Sequence, residues 1–564
     1  MERLDQFAGI ESGGVVVRWL ERAAFIFLVL MVISSPHSIA ATQIAWLTGM
    51  FLWIIAIVIR WWTDTSRFES PGPKSLRVAL LLFFAWSILT SLTSYAPDIS
   101  INKIRGVAVF FIFYFVANNI RSRRVAHFAA FLLIVSCMVN VLWTPVQRLI
   151  GRGVEMHGLA PDGPVAKAFL WEGDTLLEAN GKKVRTPEDV LAEVQQNEIT
   201  KVKFYRPDFD FIVDVKRADL LAGDDAMTQL GFSSWKKSHN WRSTGFYGHY
   251  TTYAEVLQLI ASLVLGLFIA IFAARGRRGG EREKGRRGER EKGREGERDT
   301  VSSDLPVFPS PPLRVSASPR LTVSPSPVLP VALFICLVLM SLALLLTVTR
   351  ASQLAFMISG AVIVLVGLGR KWLVVAGLIA IPVALAGVLF LQQSREVGFF
   401  DTKDESIRWR QTVWHEGFNL WTSSPRNFIL GVGMDSAQRY APLWHMFDDG
   451  RLNPGHFHST PMNLVVERGL PALLLWLTIL GVYMRILWRG LNPKSKIQNL
   501  KSTGILLGCL GGTVGFFASG LVHYNLGDQE VAMMFFLLMG IAVRSIESGG
   551  SGESGEAVES GVIP

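Results

Sequence analysis

Residues 431–470 read GVGMDSAQRYAPLWHMFDDGRLNPGHFHSTPMNLVVERGL, a polar stretch set between long apolar runs. His445, Asp448, Asp449, Arg451, His456 and His458 crowd together within it. Imidazole titrates near neutral pH, so a histidine such as His458 beside a membrane can take a proton from a hydroxyl. His456 and His458, with Asp448 and Asp449 upstream, could instead hold a metal. Their spacing is HxH in a loop and not a rigid helical pair, so neither a metal nor another cofactor is expected. Glu467 opens the next apolar run, where it can orient the loop or serve as a helix-start carboxylate.

Four arginines offer positive charge near this stretch. Arg350 ends the apolar run LALLLTVTRASQLAF, and a second run follows almost at once. At mid-span an arginine costs roughly 2.5–3.5 kcal/mol, and near a span end it can snorkel at lower cost. Arg242 lies in NWRSTGFYGHYTTYAEVLQL, with His249, just before another run. Two such guanidinium groups would clamp a diphosphate through bidentate forks; the plainer readings are an interfacial anchor and a flanking charge. Arg408 and Arg410 occur in SIRWRQTVWHEGFNLW. The spacing 410, 414, 418, 421 predicts an interfacial helix with Trp414, Phe418 and Trp421 facing lipid. Gly431-Val432-Gly433 is a lone GxG with no preceding strand, so it is not read as nucleotide binding.

The elements that must position these groups are membrane helices. Half of the 564 residues are hydrophobic and only 18% are charged, below the roughly 25% of soluble domains. Apolar runs suggest about twelve spans, near 20–36, 40–60, 77–94, 105–120, 126–149, 250–273, 330–348, 353–369, 372–391, 470–488, 503–522 and 530–545. The net charge of +10 gathers at their ends, which fits the cytoplasmic bias of Lys and Arg better than a nucleic-acid surface. With a cytoplasmic N-terminus nearly all short-loop positive charge falls inside, Lys103 and Arg105 excepted. Both termini are then cytoplasmic, and loops 150–249 and 392–469 lie outside. Cys137, Cys336 and Cys509 all sit in apolar runs and offer neither a disulfide framework nor a zinc spacing. The first apolar run has no small-residue cleavage site and reads as a retained helix.

The outer loop after the first five spans (1–150) carries a small soluble domain over 153–220. Pro161-Asp162-Gly163 and Asn180-Gly181 bound short β-type runs, Thr175–Ala179 and Lys201–Tyr205. Pro187, Glu188 and Asp189 open a helix, and Phe209–Val215 alternates like a half-buried strand. This order resembles a bacterial PDZ domain, which implies an added peptide strand as partner; a spacer is the alternative. A segment and the sixth span follow at 221–274. Residues 275–329, with GEREKGR twice and then SPRLTVSPSPVLP, should be a disordered linker, as should the tail 547–564. Spans then occupy 330–391 and 470–546, around the loop 392–469.

The residues together resemble the O-antigen ligase and O-antigen polymerase superfamily of bacterial membrane glycosyltransferases. The matching pieces are WRSTGFYGHYTTYAEVL, TVTRASQLAF, IRWRQTVWHEGFNLWTSSPRNFILGVGMDS, HSTPMNLVVERGLPALL and HYNLGDQEVAMMFFLLMGIA. The family's His-Asn…Glu-x-Gly motif stands here as His458-Ser459 with Glu467 and Gly469, so Ser459 departs from it. The resemblance implies an all-α, GT-C-like polytopic inner-membrane protein with a small α/β PDZ-like periplasmic insert. It implies a metal-independent inverting transferase that moves a glycan from undecaprenyl diphosphate to a glycan, lipid or protein acceptor. His458 and Glu467 would be catalytic, and Arg242, Arg350, Arg408 and Arg410 would hold the diphosphate. His456 and His249 would be accessory. A polymerase using the same donor fits the motifs equally; a transporter or a PDZ-bearing sensor fits them less well.

Overall fold

The computed structural model describes residues 1–10, 14–63, 72–206, 209–239, 241–299, 328–378, 405–449, 455–492 and 499–547. Most of the expected span 372–391 lies outside these residues, as do 300–327 of the linker and the tail from 548.

Ten helices among the described residues are long and apolar enough to cross a membrane, where twelve spans were expected. In chain order the main helices are α1 (Val15–Ser34), α2 (Ile39–Thr63), α3 (Lys74–Leu92), α4 (Pro97–Asn119) and α5 (Arg123–Ile150). After the soluble domain, whose helix is α6 (Pro187–Gln196), come α7 (Tyr250–Arg275), α8 (Val328–Leu346) and α9 (Arg350–Gly367). The last four are α10 (Glu405–Thr422), α11 (Thr460–Leu491), α12 (Leu500–Gly520) and α13 (Gln529–Ile546). The ten exclude α1 and the shorter or more polar α6 and α10. Helix α1 forms as expected, but Arg18, Glu21 and Arg22 crowd its first turns. Glu21 is buried there between Arg60 and Arg121, 2.8 Å from each, so these charges are used in packing.

The centre of the bundle is a glycine seam. Helices α7, α12 and α13 are each 78% buried, against 28% for α8 and α9. A Cβ on Gly508 would lie 2.6 Å from the Cα of Leu263, and one on Gly504 2.7 Å from the Cα of Leu267. Only a missing side chain permits that approach of α12 to α7. Such small-residue contacts drive helix association where water supplies no hydrophobic force.

Residues 152–238 form a six-stranded antiparallel sheet: β1 (Arg152–Leu159), β2 (Thr175–Ala179), β3 (Lys182–Lys183), β4 (Ile199–Arg206), β5 (Phe209–Lys216) and β6 (Phe232–Ser238). Its order is β5-β4-β2-β1-β6, with β3 on β2. Asn180 and Gly181 turn the chain with φ of 49° and 79°, and Thr186 with Asp189 forms a capping box on α6. Val154, Val190, Val202 and Phe204 pack its separate core. Strand β6, whose sequence does not alternate, pairs with β1 from Leu159↔Phe232 to Arg152↔Ser238, so the sheet reaches beyond residue 220. The helix of α7 runs on to Asp299 where a disordered linker was expected. Glu, Arg and Lys are good helix formers, and they outweigh the glycines of the repeat.

Candidate functional site

Segments far apart in sequence meet at one end of the helices, and backbone bonds fasten them. Tyr95 N–H donates to Val432 C=O at 3.1 Å, Ser243 N–H to Leu346 C=O at 3.0 Å, and Thr460 N–H to His523 C=O at 3.0 Å. Residues 241–249 are held further by Asn140, whose Oδ1 accepts the Phe246 N–H at 3.0 Å. The Arg242 segment therefore lies against the turn that leads into Arg350.

Gly469 divides α11 into a short helix and a long span. Its φ of 72° and ψ of 177° are non-helical, a region essentially reserved to glycine, and a Cβ there would lie 1.9 Å from Ile429 O. The last carbonyls of the short helix would otherwise lack partners. Val432 and Gly433 N–H donate to Val466 and Glu467 C=O at 2.8 Å each, and Trp86 Nε1 donates to Arg468 C=O at 2.8 Å. This GxG thus serves as a helix clasp. Glu467, expected to open a helix, instead ends one, because the glycine break falls after it. It is 4% exposed, and its Oε1 accepts the Asp435 N–H at 3.3 Å.

His458 has a left-handed backbone, φ 45°, immediately before the helix cap Ser459, whose side chain accepts the Met462 N–H. Asn and Ser are equivalent in that capping role, which accounts for the departure at 459. The His458 ring lies edge-on to Trp409 at 4.5 Å and 4.0 Å from the His456 ring. Its backbone N–H donates to His456 Nδ1 at 3.1 Å. Burial, then the positive or potentially positive His456, Arg410, His523 and His249, push the His458 imidazole down to about 2. His456 is lowered by burial first and by His523 next.

His249, Arg410 and His456 are thus each close enough to His458 to lower its imidazole, and Arg242 acts on His249 in the same sense. Arg242 also lies over the Tyr250 ring at 4.4 Å. Arg350 is half-buried at the start of α9, and Arg408 is exposed on α10. The helix forms, and of Trp414, Phe418 and Trp421 only Phe418 is exposed. Trp414 Nε1 donates to Phe457 C=O at 2.7 Å and Trp421 Nε1 to Phe428 C=O at 3.1 Å. Both rings therefore turn toward the loop, because indole N–H groups seek partners. His445 pairs with Asp449 at 2.8 Å out on the surface. Among the described residues no group of three or more His, Cys, Asp or Glu side chains is placed to hold a metal.

Several neighbouring polar residues were not singled out as site residues in the sequence. His523 Nδ1 lies 2.8 Å from Oε1 of Glu255, a carboxylate 2% exposed inside α7. A cavity of about 170 Å³ is lined by Lys103, Arg105, Asp435, Glu467, Arg468 and Tyr524, with apolar side chains of α3, α4, α11 and α13 opposite. Lys103 and Arg105 were the exceptions to the cytoplasmic charge bias. Arg468 occupies the unspecified position of Glu-x-Gly. Those were the available signals.

The ten long apolar helices define a mostly helical, polytopic membrane protein. Residues 335–477 match the family model described as O-antigen ligase. The magnetosome formation protease MamE of Paramagnetospirillum magneticum is 49% identical over 43 residues, 8% of this chain and 6% of MamE. The chain thus spans only a small fraction of the length of that relative.

Proposed function

We propose that the protein is an O-antigen ligase-type glycosyltransferase that moves a glycan from undecaprenyl diphosphate to an acceptor hydroxyl. The site faces the periplasm, with both termini in the cytoplasm of a bacterial cell. What supports this reading is the packing of His456 and Trp409 on His458, with Arg410 and His249 close enough to lower its imidazole, and the Ser243–Leu346 bond that lays the Arg242 segment against the turn leading into Arg350.

A His458 ring nitrogen takes the acceptor proton. The acceptor oxygen bonds to the anomeric carbon, and the bond from that carbon to the diphosphate oxygen breaks, its electron pair leaving with the diphosphate. Displacement from the opposite face inverts the anomeric centre. Arg242, Arg350 and Arg410 hold the diphosphate, with Arg408 at the exposed mouth. Negative charge grows on the leaving group, so fixed cations stabilise the transition state beyond the ground state. A histidine held near 2 is a weak base in the empty site. Burial is the first cause and neighbouring positive charge the second; a diphosphate beside Arg410 offsets only the second, so donor binding raises the basicity in part. Glu467 steadies the loop through Asp435.

The test is transfer by purified Arg242→Ala and Arg350→Ala with carrier-linked glycan. By analogy with loss of one oxyanion donor, kcat should fall about 10²–10³-fold, or about 2.7–4 kcal/mol. Unchanged kcat in both variants removes the clamp.

A further inference from the structure

Three histidines act on His458, and their hydrogen bonds sort them. His249 Nδ1 accepts the Thr251 backbone N–H at 3.2 Å, and His456 Nδ1 accepts the His458 backbone N–H at 3.1 Å. In each neutral ring the hydrogen is then on Nε2, so these two rings can donate but have no lone pair to spare. His523 is oriented the other way. Its Nδ1 lies 2.8 Å from Oε1 of Glu255. An ionised carboxylate only accepts, so the ring hydrogen sits on Nδ1. That leaves a lone pair on Nε2, which has no hydrogen-bond partner among the described residues.

The pair is firmly held. Glu255 is 2% exposed and the His523 side chain 12%. Thr252, three residues before Glu255 and on the same face of α7, donates from Oγ1 to Asp528 Oδ2 at 2.5 Å. The loop between α12 and α13 is thus tied to α7 twice. On its other side His523 C=O accepts the N–H of Thr460, two residues from His458, at 3.0 Å. The other histidine–carboxylate pairs among the described residues lie elsewhere: His445 with Asp449 on the surface, and His157 with Glu155 and Glu172 in the sheet domain.

Charged groups face His523 from each element around it. Glu255 and His249 come from α7 and the segment before it, His456 and His458 from the loop before α11, and Asp528 from its own loop. The groups that act on His458 are different: His456, Arg410, His523 and His249 are all cationic or can become so. A proton taken by His458 is poorly held there and must be passed on before the residue can act again.

Resting on the transfer reading above, we propose that His523 takes over this proton. The N–H bond at His458 breaks, one forms at His523 Nε2, and the positive charge settles beside the Glu255 carboxylate. A carboxylate at hydrogen-bond distance stabilises an imidazolium and holds its ring in orientation. Glu255 is a positioning residue, since it acts through His523. The part of the His523 side chain that stays exposed releases the proton to water.

The test is the pH dependence of single-turnover transfer of carrier-linked glycan by the full-length protein, with donor binding recorded separately. His523→Gln should lose about 10²-fold in rate, the low end for an acid–base group. Imidazole added to the medium should restore part of the rate of His523→Ala. Glu255→Gln keeps an acceptor for the Nδ1–H but removes the negative charge. The imidazolium that blocks Nε2 then forms less readily, so the acid limb of the profile should move about one unit toward lower pH. Thr252→Val loosens the same loop without touching the pair and should leave that limb where it is. A Glu255→Gln profile that overlays the wild type overturns the proposal, as does His523→Gln transferring at the wild-type rate. Should His523→Gln fail to fold, the Glu255→Gln profile decides alone. The two assignments fail separately. Transfer lost in His458→Ala and kept in His523→Gln leaves the base and removes the handover. The reverse makes His523 itself the base and overturns both.

Discussion

The α7–α12 seam and the 431–470 loop are both built on glycine, for opposite reasons. In the seam Gly504 and Gly508 are helical and let backbones touch. In the loop Gly431, Gly433 and Gly469 have φ of 72°, 101° and 72° and bend the chain where side-chain-bearing residues would be strained. At Leu263, Leu267, Gly504 and Gly508 the seam has no titratable side chain. The loop is polar, and it fixes where His458, Glu467 and Arg468 point. A scaffold close-packed by small residues can thus support a neighbouring loop full of backbone conformations that would not persist alone.

Breaking the seam should have the larger effect. Gly508→Leu places a branched side chain where even a Cβ lies 2.6 Å from the α7 backbone. No flexible side chain can yield there. We expect no monodisperse protein after detergent extraction, checked by size-exclusion chromatography. Recovery of a folded, wild-type-like species would show that the seam is loose.

Gly469→Ala attacks the loop alone. The new Cβ meets Ile429 O in a conformation closed to alanine, at a cost of about 3 kcal/mol. The protein should fold, since the seam is intact, yet its loop should become sensitive to limited proteolysis between 431 and 470. A variant as resistant as wild type would show that the glycine break is not what holds Glu467 and Arg468.

Sequence legibility divides along the same line. Long apolar runs announced most of the spans, because backbone groups in lipid leave few alternatives to a helix. Thr175–Ala179 and Pro187–Gln196 were legible from turn residues and a helix-start pattern. Arg242, Arg350 and His458 stood out in the sequence as unusual residues at the ends of apolar runs. Glu255, His523 and Arg468 were not, since their meaning lies in partners hundreds of residues away. Trp414 and Trp421 read as lipid-facing because helical spacing reports a face of the helix and not what covers it. Lys103 and Arg105 were visible only as a broken rule of charge placement.

Acidification should sharpen the comparison with a smaller effect. Folded His458 is held at about 2, below its ordinary 6.5. The unfolded loop therefore binds the proton first, and stability present above pH 6.5 is lost as pH falls. At pH 5 the loss is at most about 2 kcal/mol, 1.5 units at about 1.4 kcal/mol each. The seam residues Leu263, Leu267, Gly504 and Gly508 carry no charge. His458→Phe removes this contribution, so between pH 7 and 5 the wild-type loop should become more sensitive to proteolysis relative to that variant. Equal acid sensitivity in wild type and variant would assign the effect to other groups.

The most direct measurement is single-turnover transfer of carrier-linked glycan by purified His458→Ala beside wild type, over a range of pH and with donor binding recorded separately. The account predicts that donor affinity is kept while the transfer rate falls by about 10²–10⁴-fold, the range for loss of a general base. A variant that transfers at the wild-type rate would contradict the central claim that an imidazole beside the arginine clamp deprotonates the acceptor.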